Sequence, residues 1–277
     1  MWTLVKTQCD IIIRKKQFFF TFMLMMLCVM VNHVHNIFRY YGCEVSEMIS
    51  FPEISLLGCN NIASYYFFKL YPFLLVIPAG FFLAQDKASS MELLFIQRSG
   101  RTNYYISKYI AVLLTTFLCF TVPLFFEIIL NTISFPVGIH GNLFGYGLYT
   151  SDYKKICNYA MFELYYRTPV LYSTVMSLYF GFVTAVFSIL PSAMSCVFYR
   201  YKAYLLLPVY MLIYLSDVFG IWGISSVTKN KVHFFMMLSW CDYAIYIEQF
   251  IRMFIVCGII LLVSMLIYFY TARKDTL

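Results

Sequence analysis

The chain has 277 residues, of which 62% are hydrophobic and only 12% charged, with a formal net charge of +7. Ordinary soluble domains carry about 25% charged residues, so this composition excludes a typical soluble enzyme, and several uncharged apolar runs are long enough to cross a bilayer. The length suits one membrane domain without a soluble domain, internal repeat or low-complexity linker, and the predicted fold class is all-α, a polytopic membrane protein with six spans.

In chain order, Trp2 to Lys16 comes first. Trp2, Val5, Cys9 and Ile12 or Ile13 recur at helical spacing while Lys6, Asp10 and Arg14 fall on another face, the pattern of an amphipathic helix lying in a membrane interface. This stretch does not read as a cleavable signal, because the apolar run behind it continues into a full-length span with no small-residue cleavage site. The first span is predicted over 18–38, and Arg14, Lys15 and Lys16 ahead of it hold the N-terminus inside. The second is predicted over 64–83, with Pro78 as a kink point, and the third over 105–130. The fourth, 169–191, opens on Pro169, a favoured first helical position; the fifth, 203–221, follows the short turn Tyr199 to Lys202; the sixth covers 250–271.

Between the second and third spans lies a patterned polar stretch, Gln85 to Lys108. Ser89 precedes Glu92 by three residues and the apolar run Leu93 to Ile96 follows, which predicts a capping box opening a short helix over 89–100. Gly100, just past the last apolar turn, is placed to take the left-handed conformation that ends a helix, and Arg98 suits the negative end of the helix dipole. Arg101, Tyr104, Tyr105 and Lys108 then lead into the third span as basic and aromatic boundary residues.

In this order of parts, a span, a short helix reading MELLFIQRSGR, then YYISKYIAVLL opening the next span, the stretch resembles the cytosolic loop of type 2 ATP-binding-cassette exporter permeases. The N-terminal amphipathic helix stands where that family has its elbow helix, and six spans extend the resemblance over the whole chain. The resemblance implies that 89–100 is a coupling helix docked on a separate cytosolic ATPase. Its coupling residues would be Glu92, Phe95, Arg98, Gly100, Arg101 and Lys108, with Glu92 holding the helix start and Arg98 and Arg101 meeting the partner. A second permease subunit, identical or related, and the lipids of a bacterial cell membrane are the other implied partners, and an unidentified substrate would move outward. The phosphate-cradling motif GxxxxGK[ST] is absent, so no cofactor is expected on this chain, which is expected not to be an enzyme; ATP and Mg²⁺ would be held by the partner ATPase.

Charge distribution gives the topology independently. The segments assigned inside, both termini included, hold twelve basic and four acidic residues, a net of +8, and the remainder of the chain carries eight basic and nine acidic, a net of −1. The basic excess therefore lies on one side, as the positive-inside rule requires, and no clustered soluble patch supports nucleic-acid binding.

The outer loops are long. Ser151 to Arg167 is expected to form an interfacial helix with Ile156, Ala160 and Leu164 on one face, and the run from Phe234 to Ile247, too short and interrupted for a span, suits a re-entrant or interfacial segment. Residue patterns that carry catalytic or metal chemistry are mostly absent from the sequence. His33 and His35 at the end of a span read as interfacial polar residues rather than a metal site; Ser225 and Ser226 near His233 lack a partner placed to activate a hydroxyl, against an intramembrane hydrolase; a disulfide between Cys43 and Cys59 is open but not compelled by spacing. Glu127, Asp217 and Lys69 are the ionisable residues closest to hydrocarbon, where such groups usually face a bundle interior or water, although Glu127 and Asp217 also suit the headgroup level. The competing class is thus an ATP-independent membrane protein, for instance an ion-coupled transporter using Glu127 and Asp217 as pathway residues.

The topology makes a direct prediction: in a cysteine-free background, Ser99→Cys should stay unmodified by a membrane-impermeant thiol reagent added outside intact cells. Labelling of that cysteine from outside would reverse the assignment of every span.

Overall fold

The computed structural model describes residues 1–45, 48, 51–58, 62–89, 91–138, 161–196, 205–223, 232–239 and 247–274. Regular structure among the described residues is entirely helical. The elements are α1 (Trp2–Ile13), α2 (Lys16–Arg39), α3 (Phe51–Ile54), a 3-10 turn (Leu56–Gly58), α4 (Ile62–Val76), α5 (Phe82–Ala88) and α6 (Met91–Ser99). They continue with α7 (Arg101–Ser134), α8 (Phe162–Arg167), α9 (Pro169–Met194), α10 (Leu207–Val218), α11 (Phe234–Leu238) and α12 (Ile247–Lys274). Four helices, α2, α7, α9 and α12, are long and apolar enough to cross a membrane. The second and fifth predicted spans correspond to shorter apolar helices, α4 of 15 residues and α10 of 12.

The long helices differ in how deeply they sit. Of the most apolar 18 residues, 72% are buried in α9 and 56% in α7, against 28% in both α2 and α12, so α7 and α9 form the centre and the other two flank it. A stripe of small residues along α9, Ser177, Gly181, Thr184 and Ser188, lets the two central backbones approach, as small residues do between apolar helices. At Gly181 a Cβ would run into the Thr121 hydroxyl and come within 3.3 Å of the Phe117 ring. Hydroxyl bonds cross between helices where no water competes: Ser188 to Thr116 at 3.1 Å, Tyr71 to Thr184 at 2.9 Å and Ser192 to Tyr268 at 2.6 Å. Other hydroxyls, those of Thr115, Ser264 and Thr271 among them, bond to their own helix one turn back, the usual way a polar group is satisfied inside an apolar helix.

Pro78 does more than kink the second predicted span. Proline lacks an N–H and disfavours helical geometry in the residue before it, and α4 stops at Val76; residues 77–81 form a turn, closed by Gly80 N–H to the Val76 carbonyl at 2.9 Å, before α5 begins. The helix predicted within Ser151 to Arg167 is described only from residue 161, where α8 covers its end; Ile156 and Ala160 lie outside the described residues. So do the turn Tyr199 to Lys202, Ser225, Ser226, Cys59 and with it the Cys43–Cys59 disulfide. The segment expected to be re-entrant supplies α11, whose Phe234, Met237 and Leu238 are buried. Phe234 packs between Phe187, Trp222 and Tyr71, with ring centroids 5.1, 5.7 and 6.4 Å away.

The α7–α9 contact gives a stability test. Gly181→Leu should destabilise the purified protein by about 1–3 kcal/mol, the usual effect of overpacking a tight core, while Gly181→Leu combined with Thr121→Gly should recover part of it. Equal melting temperatures for wild type and the single variant would show that the two helices do not depend on this contact.

Candidate functional site

The predicted helix between the second and third spans is present as α6, shifted to Met91–Ser99, and its capping differs from the expected box. Ser89 does not open α6: it closes α5, its hydroxyl donating to the Gln85 carbonyl at 2.9 Å. Nor does Glu92 reach back to a cap; its carboxylate accepts the Tyr105 hydroxyl at 2.5 Å and so ties the start of α6 to the first turns of α7. The expected pairing of Ser89 with Glu92, three residues apart, could not be told from partners four and thirteen residues away without the fold. Gly100 has the positive φ expected, +78°, but with ψ 152° it is extended rather than left-handed helical. Its N–H closes α6 on the Ile96 carbonyl at 2.9 Å and its own carbonyl accepts the Tyr104 N–H of α7 at 3.1 Å, so one residue joins two helices. There is open space around a Cβ at Gly100, and the reason for glycine is conformational alone.

The two halves of the apolar turn in α6 face different ways. Phe95 and Ile96 pack onto a buried cluster made by Leu83, Tyr104, Tyr105, Ala193, Tyr268 and Ala272, with Phe95 stacked on Tyr104 at 6.1 Å. Leu93 and Leu94 are 60% and 56% exposed, and Met91, Gln97 and Arg98 share their outward position. Arg101 is half-buried. Through this cluster, and through Lys87 donating to the Cys196 carbonyl at 2.9 Å, the α5–α6 hairpin lies across the adjoining ends of α7, α9 and α12.

Lys108 belongs to the interior, not to the docking face on which sequence placed it. Its side chain is completely buried and its ammonium forms an ion pair with Asp86, whose side chain is only 9% exposed. The same ammonium donates to Gln8 of α1 at 3.1 Å and lies 3.1 Å from the centroid of the Phe82 ring. Asp86 also accepts the Tyr104 hydroxyl at 3.1 Å and faces Lys15 at 3.8 Å, and Lys15 bonds to Gln85, which in turn donates to Gln17. Five segments therefore meet in one polar network around this carboxylate: α5 and, in direct contact with it, α7 and the α1–α2 junction, with α1 joined through Lys108 and α2 through Gln85. On α1 the buried stripe is Val5, Gln8 and Ile12, whereas Trp2 is 73% exposed; the expected apolar stripe of this helix misses Gln8, the residue that turns inward to meet Lys108. Burial, then the neighbouring Asp10, raises the Cys9 thiol on this helix above its ordinary range.

The two acids proposed for a pathway lie away from this site. Glu127, near the other end of α7, is buried and accepts the Asn32 amide at 2.8 Å and the Leu56 N–H at 2.6 Å. Asn32 and Asn36 also donate to the Ile54 carbonyl, and Glu53 accepts the Tyr165 hydroxyl, so the carboxylate takes part in fastening the short segment 51–58 onto α2, α7 and α8. His33 beside it bonds to Asn131 at 2.9 Å and meets the edge of Phe135. Asp217, at the end of α10, accepts the Phe234 N–H at 2.7 Å and faces His233 at 3.5 Å, which makes it the cap of α11.

No protein-family profile, no curated protein and no solved structure matches this chain.

Removing one member of a buried ion pair strands the other charge and costs about 3–5 kcal/mol, whereas removing both costs much less. Asp86→Asn and Lys108→Met should each lower the melting temperature sharply, and the double variant should lie well above the sum of the two losses in a double-mutant cycle. Additive losses would mean that the pair is not coupled.

Proposed function

We propose that this chain is the membrane permease subunit of an ATP-driven exporter of the type 2 ATP-binding-cassette class, with α6 as the helix that docks on a separate cytosolic ATPase. On this reading the four long helices and the two short ones, α4 and α10, make six crossings, α1 lies flat on the inner leaflet, and both termini face the cytosol. At 1.5 Å per residue α4 and α10 supply about 22 and 18 Å of helix, short of a full hydrocarbon core, so this reading needs the segments that flank them to complete the two crossings. A second permease subunit completes the pathway, and ATP binding on the ATPases drives substrate outward.

One observation carries the reading. α6 is a nine-residue helix packed on the bundle by its inner half and left open on its outer half, with Leu93, Leu94 and Arg98 presented together. A helix clamped to α7 through Glu92–Tyr105 and Phe95–Tyr104, and to α5 by a two-residue link, passes a push from a soluble subunit to both arms, which a loose loop cannot do. Burial of the exposed leucines in lipid is the alternative use of the same face, and it predicts no protein partner.

Leu94→Glu combined with Arg98→Glu touches only the outward face. It should abolish co-purification of the cytosolic ATPase and uncouple its ATP hydrolysis from export, while the permease inserts and melts like wild type. Wild-type ATPase binding and export by this variant would refute the docking assignment.

A further inference from the structure

Lys69 stands in a place where a lysine is costly. Tyr71, two residues on, packs against Phe120 and Phe180 at 6.3 and 5.4 Å, and these lie near the middle of the 34-residue α7 and the 26-residue α9. Lys69 is therefore close to mid-depth if α4 crosses the membrane. It is exposed, on the outer face of α4, and among the described residues no carboxylate lies within ion-pair distance of it. Its ammonium rests over the Tyr65 ring, 4.2 Å from the centroid, an attraction that leaves the charge unneutralised. A charged side chain at the centre of a bilayer costs at least about 2.5 kcal/mol.

The other exposed apolar faces show what a plain lipid-facing surface looks like in this protein. Between Lys16 and Arg39 on α2, and between Arg252 and Arg273 on α12, there is no charged residue. The α4 face is different in composition too: Tyr65, Tyr66 and Phe73 flank the lysine, and Tyr210 of α10 is exposed beside Phe73. One turn from Lys69, Pro72 and Phe73 of α4 and Leu206, Leu207 and Tyr210 line an apolar groove of about 230 Å³, with Phe73 and Tyr210 6.4 Å apart. A cation rimmed by tyrosines next to an apolar trough matches a molecule with a negative head and a hydrocarbon body, and such a molecule would neutralise a charge that no carboxylate among the described residues pairs.

We propose that the exposed face of α4 and α10 is a binding site for an anionic amphiphile, its charged head on Lys69 and its apolar part in the groove along Phe73, Leu207 and Tyr210. The proposal rests on the membrane permease reading and commits to one occupant, a membrane lipid with an anionic head. Neutral lipid lacks the charge partner, and a free inorganic anion lacks the apolar half.

The test uses the full-length protein in neutral detergent, with its melting temperature followed against added dioleoylphosphatidylglycerol, dioleoylphosphatidylcholine or inorganic phosphate. The phosphatidylglycerol should stabilise the wild type saturably, and the other two should not. Lys69→Arg should keep that response, Lys69→Leu should raise the half-saturating concentration about tenfold or more, as expected for loss of a charge-assisted bond, and Lys6→Leu on exposed α1 should leave it unchanged. Phe73→Ala should weaken binding without altering the preference for the anionic head. Equal stabilisation by both lipids, a response to phosphate alone, an unchanged response in Lys69→Leu, or dissociation of a permease dimer by that variant would each overturn the assignment, the last by showing that a second subunit supplies the counter-charge. None of these measurements requires the ATPase, so failure here and failure of the α6 docking reading are separately visible.

Discussion

A lysine ammonium taken wholly out of water has to be neutralised where it stands, and around Lys108 that requirement decides how five segments come together. Asp86 supplies the charge, Gln8 and the Phe82 ring supply the remaining contacts, and Tyr104 and Lys15 complete the surroundings of the carboxylate. None of these residues is close to all the others in sequence, and Gln8 and Lys108 are a hundred positions apart. The pair is therefore a constraint on assembly: α1, α5 and the start of α7 must be in register before the charges can meet. Buried ion pairs add little to stability over a well-packed apolar alternative, and the contribution here is better understood as fixing one arrangement of helices that hydrophobic contact alone would leave loosely specified.

The opposite end of α7 is held by the same kind of chemistry with one charge fewer. Among the described residues Glu127 has no cation in ion-pair contact; it is satisfied by the Asn32 amide and the Leu56 N–H, donors that belong to α2 and to the short segment before α4. α7 is thus pinned at both ends through buried carboxylates, one borrowed from α5 and one its own, and between them it packs along α9 through small residues and interhelical hydroxyl bonds. Between the two anchors its 34 residues include Pro123, which removes one helical hydrogen bond and is the natural bending point of the helix.

Polar residues in the apolar helices divide by how they are satisfied. Thr115, Thr184 and Ser264 bond to their own helices, Ser188, Tyr71 and Ser192 to neighbouring ones, and Asp86, Lys108 and Glu127 to groups from several elements. Lys69 fits none of these groups, since its contact within the chain is an aromatic face. Among the described residues, then, Lys69 is an exposed cation on an aromatic surface, whereas Lys108, Asp86 and Glu127 are enclosed by several elements.

The sequence by itself determined the class of the molecule and the place of most helices. Apolar runs and their length are local properties, so α2, α7, α9 and α12 were legible, as were α1, a helix near 91–99 and the glycine that ends it. What it could not reveal was pairing. Ser89 and Glu92 have the spacing of a capping box, yet their partners are Gln85 and Tyr105, because a hydroxyl or carboxylate bonds to whichever group the packing brings nearest and the box is only one candidate. Lys108 has the composition of a boundary residue, and only the approach of α5 and α1 converts it into a buried one. Gln8 gave no signal at all, being polar within an otherwise apolar stripe. Proline at 78 marked the right position but not the outcome: whether a missing N–H bends a helix or ends it depends on what receives the freed chain, and here Gly80 and the close flank of α9 allow a full turn. Periodicity fixes which faces are apolar; which polar groups meet across them is decided by contacts remote in sequence, and those exist only once the helices are packed.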